Sequence, residues 1–150
     1  ELEKAGKSLG VVTQNIDSLH QKAGSEKVFE LHGSVHRNYC ERCHKFYSLE
    51  DIMKFKGETP KCECGGIIKP DVVLYEEALD QEVLRGAVEA IEASDTLIVT
   101  GTSLSVYPAS GLIRYFRGDK LVLINLSVTP YDNMADLIVR GKVGEVLSQI

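Results

Sequence analysis

Four cysteines carry the clearest chemistry in the sequence: Cys40, Cys43, Cys62 and Cys64. Two residues separate the first pair, one separates the second, and Gly65-Gly66 follows. Two close thiol pairs at this separation suit a tetrahedral zinc ion, each pair on its own tight knuckle. The second knuckle must turn more tightly, and the glycines after it let the backbone curl. Four thiolates fill the zinc shell and leave no position for water, so the expected role is structural. Free thiols or two disulfides are the alternative. His44, beside Cys43, could replace a thiolate, but with four cysteines present it reads as a surface residue.

A second set of polar residues stands at the ends of apolar runs: Thr13-Gln14-Asn15, His32-Gly33, Gly101-Thr102-Ser103 and Asn125. Histidine titrates near neutrality, so His32 is suited to take a proton from a sugar hydroxyl. His20 and His36 read as structural. Asn15 and Asp17 could simply form a turn and cap a helix. With Gln14 they also offer amide and carboxylate groups suited to a carboxamide and to ribose hydroxyls. Gly101 to Ser105 is a small, hydroxyl-rich turn that lets ribose or phosphate approach backbone N–H groups. An ordinary strand-to-helix turn would look the same, and the chain has no Gly-x-Gly-x-x-Gly.

These groups need a scaffold, and the pattern supplies one. Apolar runs at Leu9–Asn15, Val28–Leu31, Asp71–Tyr75, Thr96–Thr100, Leu121–Asn125 and Asp136–Val139 read as strands. Residues 80–93 read as a helix, with Val83, Leu84, Ala87, Val88 and Ile91 at helical spacing and Asp80 as its N-cap. Leu2–Lys7 reads as the end of a helix, and further helices are expected over Glu50–Phe55, Pro108–Phe116 and Val143–Ile150. Continuous apolar strands alternating with helices indicate an α/β fold with a parallel sheet covered on both faces. Ligands of such sheets bind beyond the carboxyl ends of the strands, where the polar residues stand. The cysteine-bearing stretch breaks this alternation, giving three expected parts: residues 1–38, a zinc-binding module over 39–68, and 69–150.

The chain has 150 residues, and 17 basic against 22 acidic residues give a net charge of −5. No basic tract stands out, which argues against nucleic acid as the main partner. No run reaches the length of a membrane span. The opening Glu1–Lys4 does not read as a secretory leader, so the thiols are expected in a reducing compartment, and the expected location is cytoplasmic.

Taken together, these residues resemble the sirtuins, the NAD-dependent protein-lysine deacylases. The match runs through Thr13-Gln14-Asn15-Ile16-Asp17, Leu19-His20, Ala23-Gly24, Glu30-Leu31-His32-Gly33 and both cysteine pairs. It continues through Lys69-Pro70-Asp71-Val72-Val73, Gly101-Thr102-Ser103-Leu104, Val106, Pro108-Ala109 and Ile124-Asn125-Leu126-Ser127. The resemblance implies a Rossmann-like parallel sheet with an inserted zinc-ribbon module. It implies NAD as cofactor, one structural zinc ion, and an acyl-lysine peptide or protein as substrate. It implies that the acyl oxygen attacks the nicotinamide ribose, giving nicotinamide, free lysine and O-acyl-ADP-ribose. On this resemblance His32 is the general base, and Asn15 and Asp17 serve the nicotinamide and ribose pocket. Ile16 lies beside them, and Gln14 contacts ribose. Gly101, Thr102 and Ser103 take the adenosine side, Asn125 the adenosine ribose, and Lys142 and Val143 close over the adenine. Val73 is the apolar contact to the acyl-lysine chain.

Two departures stand out. The family's opening strand, its Gly-Ala-Gly loop and the acidic-aromatic-basic segment after it have no counterpart here. That strand lies mid-sheet in the family, between the strands matching Leu9–Asn15 and Thr96–Thr100. An incomplete sequence is therefore expected, with a missing N-terminal segment or a partner chain completing the sheet. The second departure is Leu74-Tyr75-Glu76-Glu77, where Glu76 stands in place of the family's usual glycine, near where substrate backbone would add as a strand. The competing reading is a non-catalytic, zinc-stabilised binding module that keeps part of the NAD and acyl-lysine site.

Overall fold

The computed structural model describes residues 1–149. The chain divides into two compact units, residues 1–84 and 85–150.

In the first unit, β1 (Val11–Thr13) and β2 (Val28–Glu30) pair in parallel, with Thr13 opposite Glu30. The connection between them carries α1 (Leu19–Lys22). A second sheet is antiparallel, with β3 (Gly33–Cys40) at its centre between β4 (Phe46–Ser48) and β5 (Ile68–Val72). Helix α2 (Leu49–Met53) begins with a capping box. The Ser48 hydroxyl accepts from Asp51 N–H at 3.2 Å, and the Asp51 carboxylate accepts from Ser48 N–H at 3.1 Å. Lys54 and these Ser48 donors pull the Asp51 carboxyl down to about 2. A small core of Cys40, Cys62 and Ile68, backed by Tyr47, Ile52, Phe55 and Cys64, holds this sheet together.

Helix α3 (Gln81–Glu92) forms where its apolar spacing predicts it. Asp80 caps it, accepting from the N–H groups of Glu82 at 2.8 Å and Val83 at 3.1 Å. In the second unit, β6 (Thr96–Thr100), β7 (Lys120–Ile124) and β8 (Leu137–Val139) form a parallel sheet in sequence order. The middle strand is the most buried of the three, with Leu121, Leu123 and Ile124 all inside. Leu121 and Leu123 on it join Leu104, Ile113 and Tyr131 in the core.

Several elements differ from expectation. Residues 2–7 form turns in place of a helix end, and the Glu3 carboxylate accepts from the N–H groups of Glu26 at 3.1 Å and Lys27 at 2.9 Å. The first strand is confined to Val11–Thr13. The strand expected at Asp71–Tyr75 lies earlier, at Ile68–Val72, because Pro70 is tolerated on an edge strand and the chain turns at Leu74–Glu77. The helix expected over Pro108–Phe116 is a 3-10 helix, Ala109–Tyr115. Helix α4 covers Val143–Leu147, and the expected end of that helix at Ile150 lies outside the described residues. No helix among the described residues is long and apolar enough to cross a membrane.

Candidate active site and metal centre

Chain order brings the reactive candidates of the first unit together at the carboxyl ends of β1 and β2. The half-buried His32 directs Nδ1 at the carbonyl oxygen of Gln14, 3.0 Å away. A carbonyl only accepts, so Nδ1 carries the proton. Nε2 of the neutral ring is then the acceptor available for a substrate hydroxyl. Gly33, next in sequence, has φ +76, and a Cβ there would lie 1.9 Å from the Asp71 carbonyl oxygen. Only glycine lets β5 come this close. The same approach puts Val73 beside the histidine, its N–H donating to the His32 carbonyl at 3.1 Å.

The loop after β1 presents Gln14, Asn15, Ile16 and Asp17. Asn15 is exposed, and its N–H donates to the Thr13 hydroxyl at 3.1 Å. Asp17 uses Oδ1 to accept from Leu19 N–H at 3.0 Å, the capping role that its residue type favours. Ile16 anchors the loop, its carbonyl accepting from Val35 N–H at 3.1 Å.

Beneath this loop lies a charge network that sequence reasoning missed. Glu30, its side chain 7% exposed, accepts from the Arg37 guanidinium at 2.7 Å and from the Ser18 hydroxyl at 3.0 Å. Ser18 also shares a 2.8 Å hydrogen bond with the fully buried Ser34, and Arg37 reaches Asp71 at 2.7 Å. Burial works against the Glu30 charge, but hydrogen bonds from Arg37, Gln21 and Ser18 outweigh it and hold the carboxyl below its usual range. The network links the ends of β2, β3 and β5 to the loop. The one available signal was a carboxylate inside the otherwise apolar run Val28–Leu31.

In the second unit, Gly101, Thr102, Ser103, Asn125, Lys142 and Val143 line one hollow of about 430 Å³. That volume falls within the range of small-molecule pockets, roughly 300–1,000 Å³. The turn is built tightly: Gly101 has φ +61, and Asn125, 5% exposed, clamps Thr102 from both sides. Its Oδ1 accepts from Thr102 N–H at 3.0 Å, and its Nδ2 donates to the Thr102 carbonyl at 2.8 Å. Asn125 therefore shapes the turn as well as lining the hollow. Ser103 and Lys142 are exposed on it.

The four cysteines converge as their spacing requires. Their sulfurs all lie within 4.8 Å of one another. Cys40–Cys64 and Cys43–Cys62 are each 3.5 Å apart, too far for disulfides. Tetrahedral zinc–sulfur bonds of 2.3 Å imply sulfurs about 3.8 Å apart, so the donor set fits one zinc ion. The cradle is close: a Cβ on Gly66 would sit 2.6 Å from the Cys40 sulfur. Arg42 N–H donates to that sulfur at 3.4 Å. Cys62 is drawn down to about 6, foremost by the Tyr47 hydroxyl and then by the Cys64 N–H. The Lys45 N–H favours a Cys43 thiolate, but Cys64 and Cys62 outweigh it and push Cys43 up to about 12. Such crowding of thiols favours a cation among them. His44 is exposed and stands outside the cluster.

Residues 1–108 match the family model described as the Sir2 family. The chain belongs to the Sir2 family. It is 58% identical over its whole length to an NAD-dependent protein deacetylase of Clostridium acetobutylicum, and 60% identical to one of Clostridium perfringens. It spans 62% of the length of each of these relatives. Among solved structures, a Sir2 bound to p53 peptide and NAD+ superposes with a TM-score of 0.91 at 44% identity, covering 99% of this chain and 64% of that one. A Sir2 bound to an acetylated peptide gives 0.91 at 43% identity, with the same coverage. The Rossmann-like α/β class of the Sir2 fold is thus established for this chain, together with a cysteine cluster that suits structural zinc.

Proposed function

We propose that this Sir2-family chain serves NAD-dependent deacylation of lysine side chains in peptides or proteins. The relatives it resembles are deacetylases, and solved neighbours hold acetylated peptide or NAD+. The single observation that carries the reading is His32 with its Nδ1 proton held by the Gln14 carbonyl, which frees Nε2 to accept.

NAD, when bound, supplies a ribose carbon from which nicotinamide can leave. The chain's own residues do the rest on this reading. Nε2 of His32 takes the proton of a ribose hydroxyl. The oxygens of Asn15 and the Asp17 carboxylate face developing positive charge on the sugar, which they stabilise electrostatically. Gln14 contacts ribose, Ile16 packs beside the nicotinamide, and Val73 lines the acyl-lysine chain. In the second unit, Gly101, Thr102, Ser103 and Asn125 take the adenosine, with Lys142 and Val143 over the base. The size of their shared hollow and its lining by these residues support this. Zinc on Cys40, Cys43, Cys62 and Cys64 is structural and takes no part in the chemistry. We further propose a cytoplasmic location and the three-part organisation 1–38, 39–68 and 69–150.

The test is an acetyl-lysine peptide incubated with NAD and the chain, with nicotinamide and deacylated peptide both quantified. Product formation that requires His32 supports the reading. NAD or peptide binding without turnover favours the non-catalytic binding module.

A further inference from the structure

Tyr47 ends in a hydroxyl that the fold buries against the cysteine cluster without a hydrogen bond of ordinary geometry. The residue lies on β4 and packs in the core formed by Cys40, Cys62 and Ile68. Its ring is covered by the Lys45 ammonium, 5.5 Å from the ring centre, and Lys45 is itself paired with Glu63 at 2.8 Å. Its main-chain carbonyl accepts from Asn38. These contacts account for the ring and the backbone, and phenylalanine would satisfy them equally. They leave the hydroxyl unexplained, and a buried polar atom without a hydrogen bond is unfavourable.

The acceptor at hand is sulfur. A neutral thiol is a weak acceptor. A metal-bound thiolate is charged and accepts strongly. The Cys40 thiolate already has the Arg42 amide, 3.4 Å away. Resting on the structural-zinc reading above, we propose that Tyr47 is a positioning residue of the metal centre, its phenol O–H donating to the Cys62 thiolate. Outer donors of this kind orient a ligand and damp its charge, and their loss typically weakens metal affinity about 10–100-fold.

The experiment uses the 150-residue chain carrying zinc, and Tyr47→Phe, which removes one oxygen and keeps the ring. Zinc transfer to an excess of a chromophoric chelator is followed in time. Tyr47→Phe is expected to release zinc at least about tenfold faster. In the cobalt-substituted proteins, the thiolate-to-metal charge-transfer bands of Tyr47→Phe should move to lower energy. Phe55→Leu, a packing change in the same cluster, should leave those bands in place. Should Tyr47→Phe not fold, the wild-type chain loaded with cadmium-113 gives the answer alone. A scalar coupling between the metal and the Tyr47 hydroxyl proton is expected, and its absence contradicts the proposal. Equal release rates and unmoved bands in Tyr47→Phe overturn the proposal while leaving the zinc reading intact. A wild-type chain that takes up neither zinc nor cobalt overturns both.

Discussion

His32 Nδ1 lies 3.0 Å from the main-chain oxygen of Gln14, so the loop after β1 orients the imidazole on β2's end. Because the orienting group is a carbonyl of the backbone, no side-chain substitution at Gln14 removes it. The neutral histidine should hold its proton on Nδ1. Nitrogen-15 NMR of His32 at alkaline pH tests this. A pyrrole-like Nδ1 and a pyridine-like Nε2 are expected, and the reverse pattern would remove the basis for the free Nε2.

Three positions with positive φ should respond differently to a change of side chain. Gly33→Ala meets the Asp71 carbonyl at 1.9 Å and should cost on the order of 2–4 kcal/mol. Gly101→Ala keeps φ +61 but meets no atom within 4 Å, so about 1–2 kcal/mol is expected. Glu76 already occupies φ +70, within the turn closed by the Glu77 carboxylate on Leu74 N–H at 2.9 Å. Glu76→Gly should therefore be neutral or stabilising by up to about 1 kcal/mol. Urea midpoints of the three variants check the ranking.

Glu30→Gln should destabilise the chain by about 1–2 kcal/mol at pH 7, since Arg37 is 40% exposed and solvent screens part of the pair. The pH dependence follows from the lowered carboxyl. A depressed folded-state value means the unfolded chain binds protons first as pH falls. The Glu30 contribution is therefore complete above about pH 4.3 and is lost as pH drops through the lower folded-state value. The gap between wild type and Glu30→Gln should shrink from pH 7 to pH 3. A gap that is constant over this range would mean the carboxylate charge contributes nothing.

The metal centre should be stoichiometric and acid-labile. One zinc ion per chain is expected by atomic absorption, and serine at Cys40 or Cys62, both buried, should abolish it. Ligand thiols must lose their protons to bind, so falling pH should release the ion. Zinc that survives all four single Cys→Ser changes would show that the cluster is not the site.

Local features were the most legible. The cysteine spacing led to the converging sulfurs, and the apolar spacing with Asp80 led to α3 and its cap. Elements that depend on distant partners were not legible. Strand β3 reads GSVHRNYC, with polar residues on both faces, and exists because β4 and β5 pair with it. Pro70 sits inside β5, where a local reading expects a break. Among the candidate site residues, the types at positions 14, 15, 17, 32, 101, 102 and 125 were evident from the polar ends of apolar runs. The Asn125 clamp on Thr102 joins residues far apart in sequence, as does the link from Glu30 through Arg37 to Asp71, and no local pattern announces either.

The most direct measurement is the amount of deacylated peptide formed from an acetyl-lysine peptide with and without NAD, by this chain and by His32→Ala. NAD-dependent product is expected from the wild type, with a loss of at least about 100-fold in His32→Ala, the scale of a general base. NAD-dependent product formed equally fast by His32→Ala would contradict the role of His32. No product from the wild type would contradict catalysis by this chain.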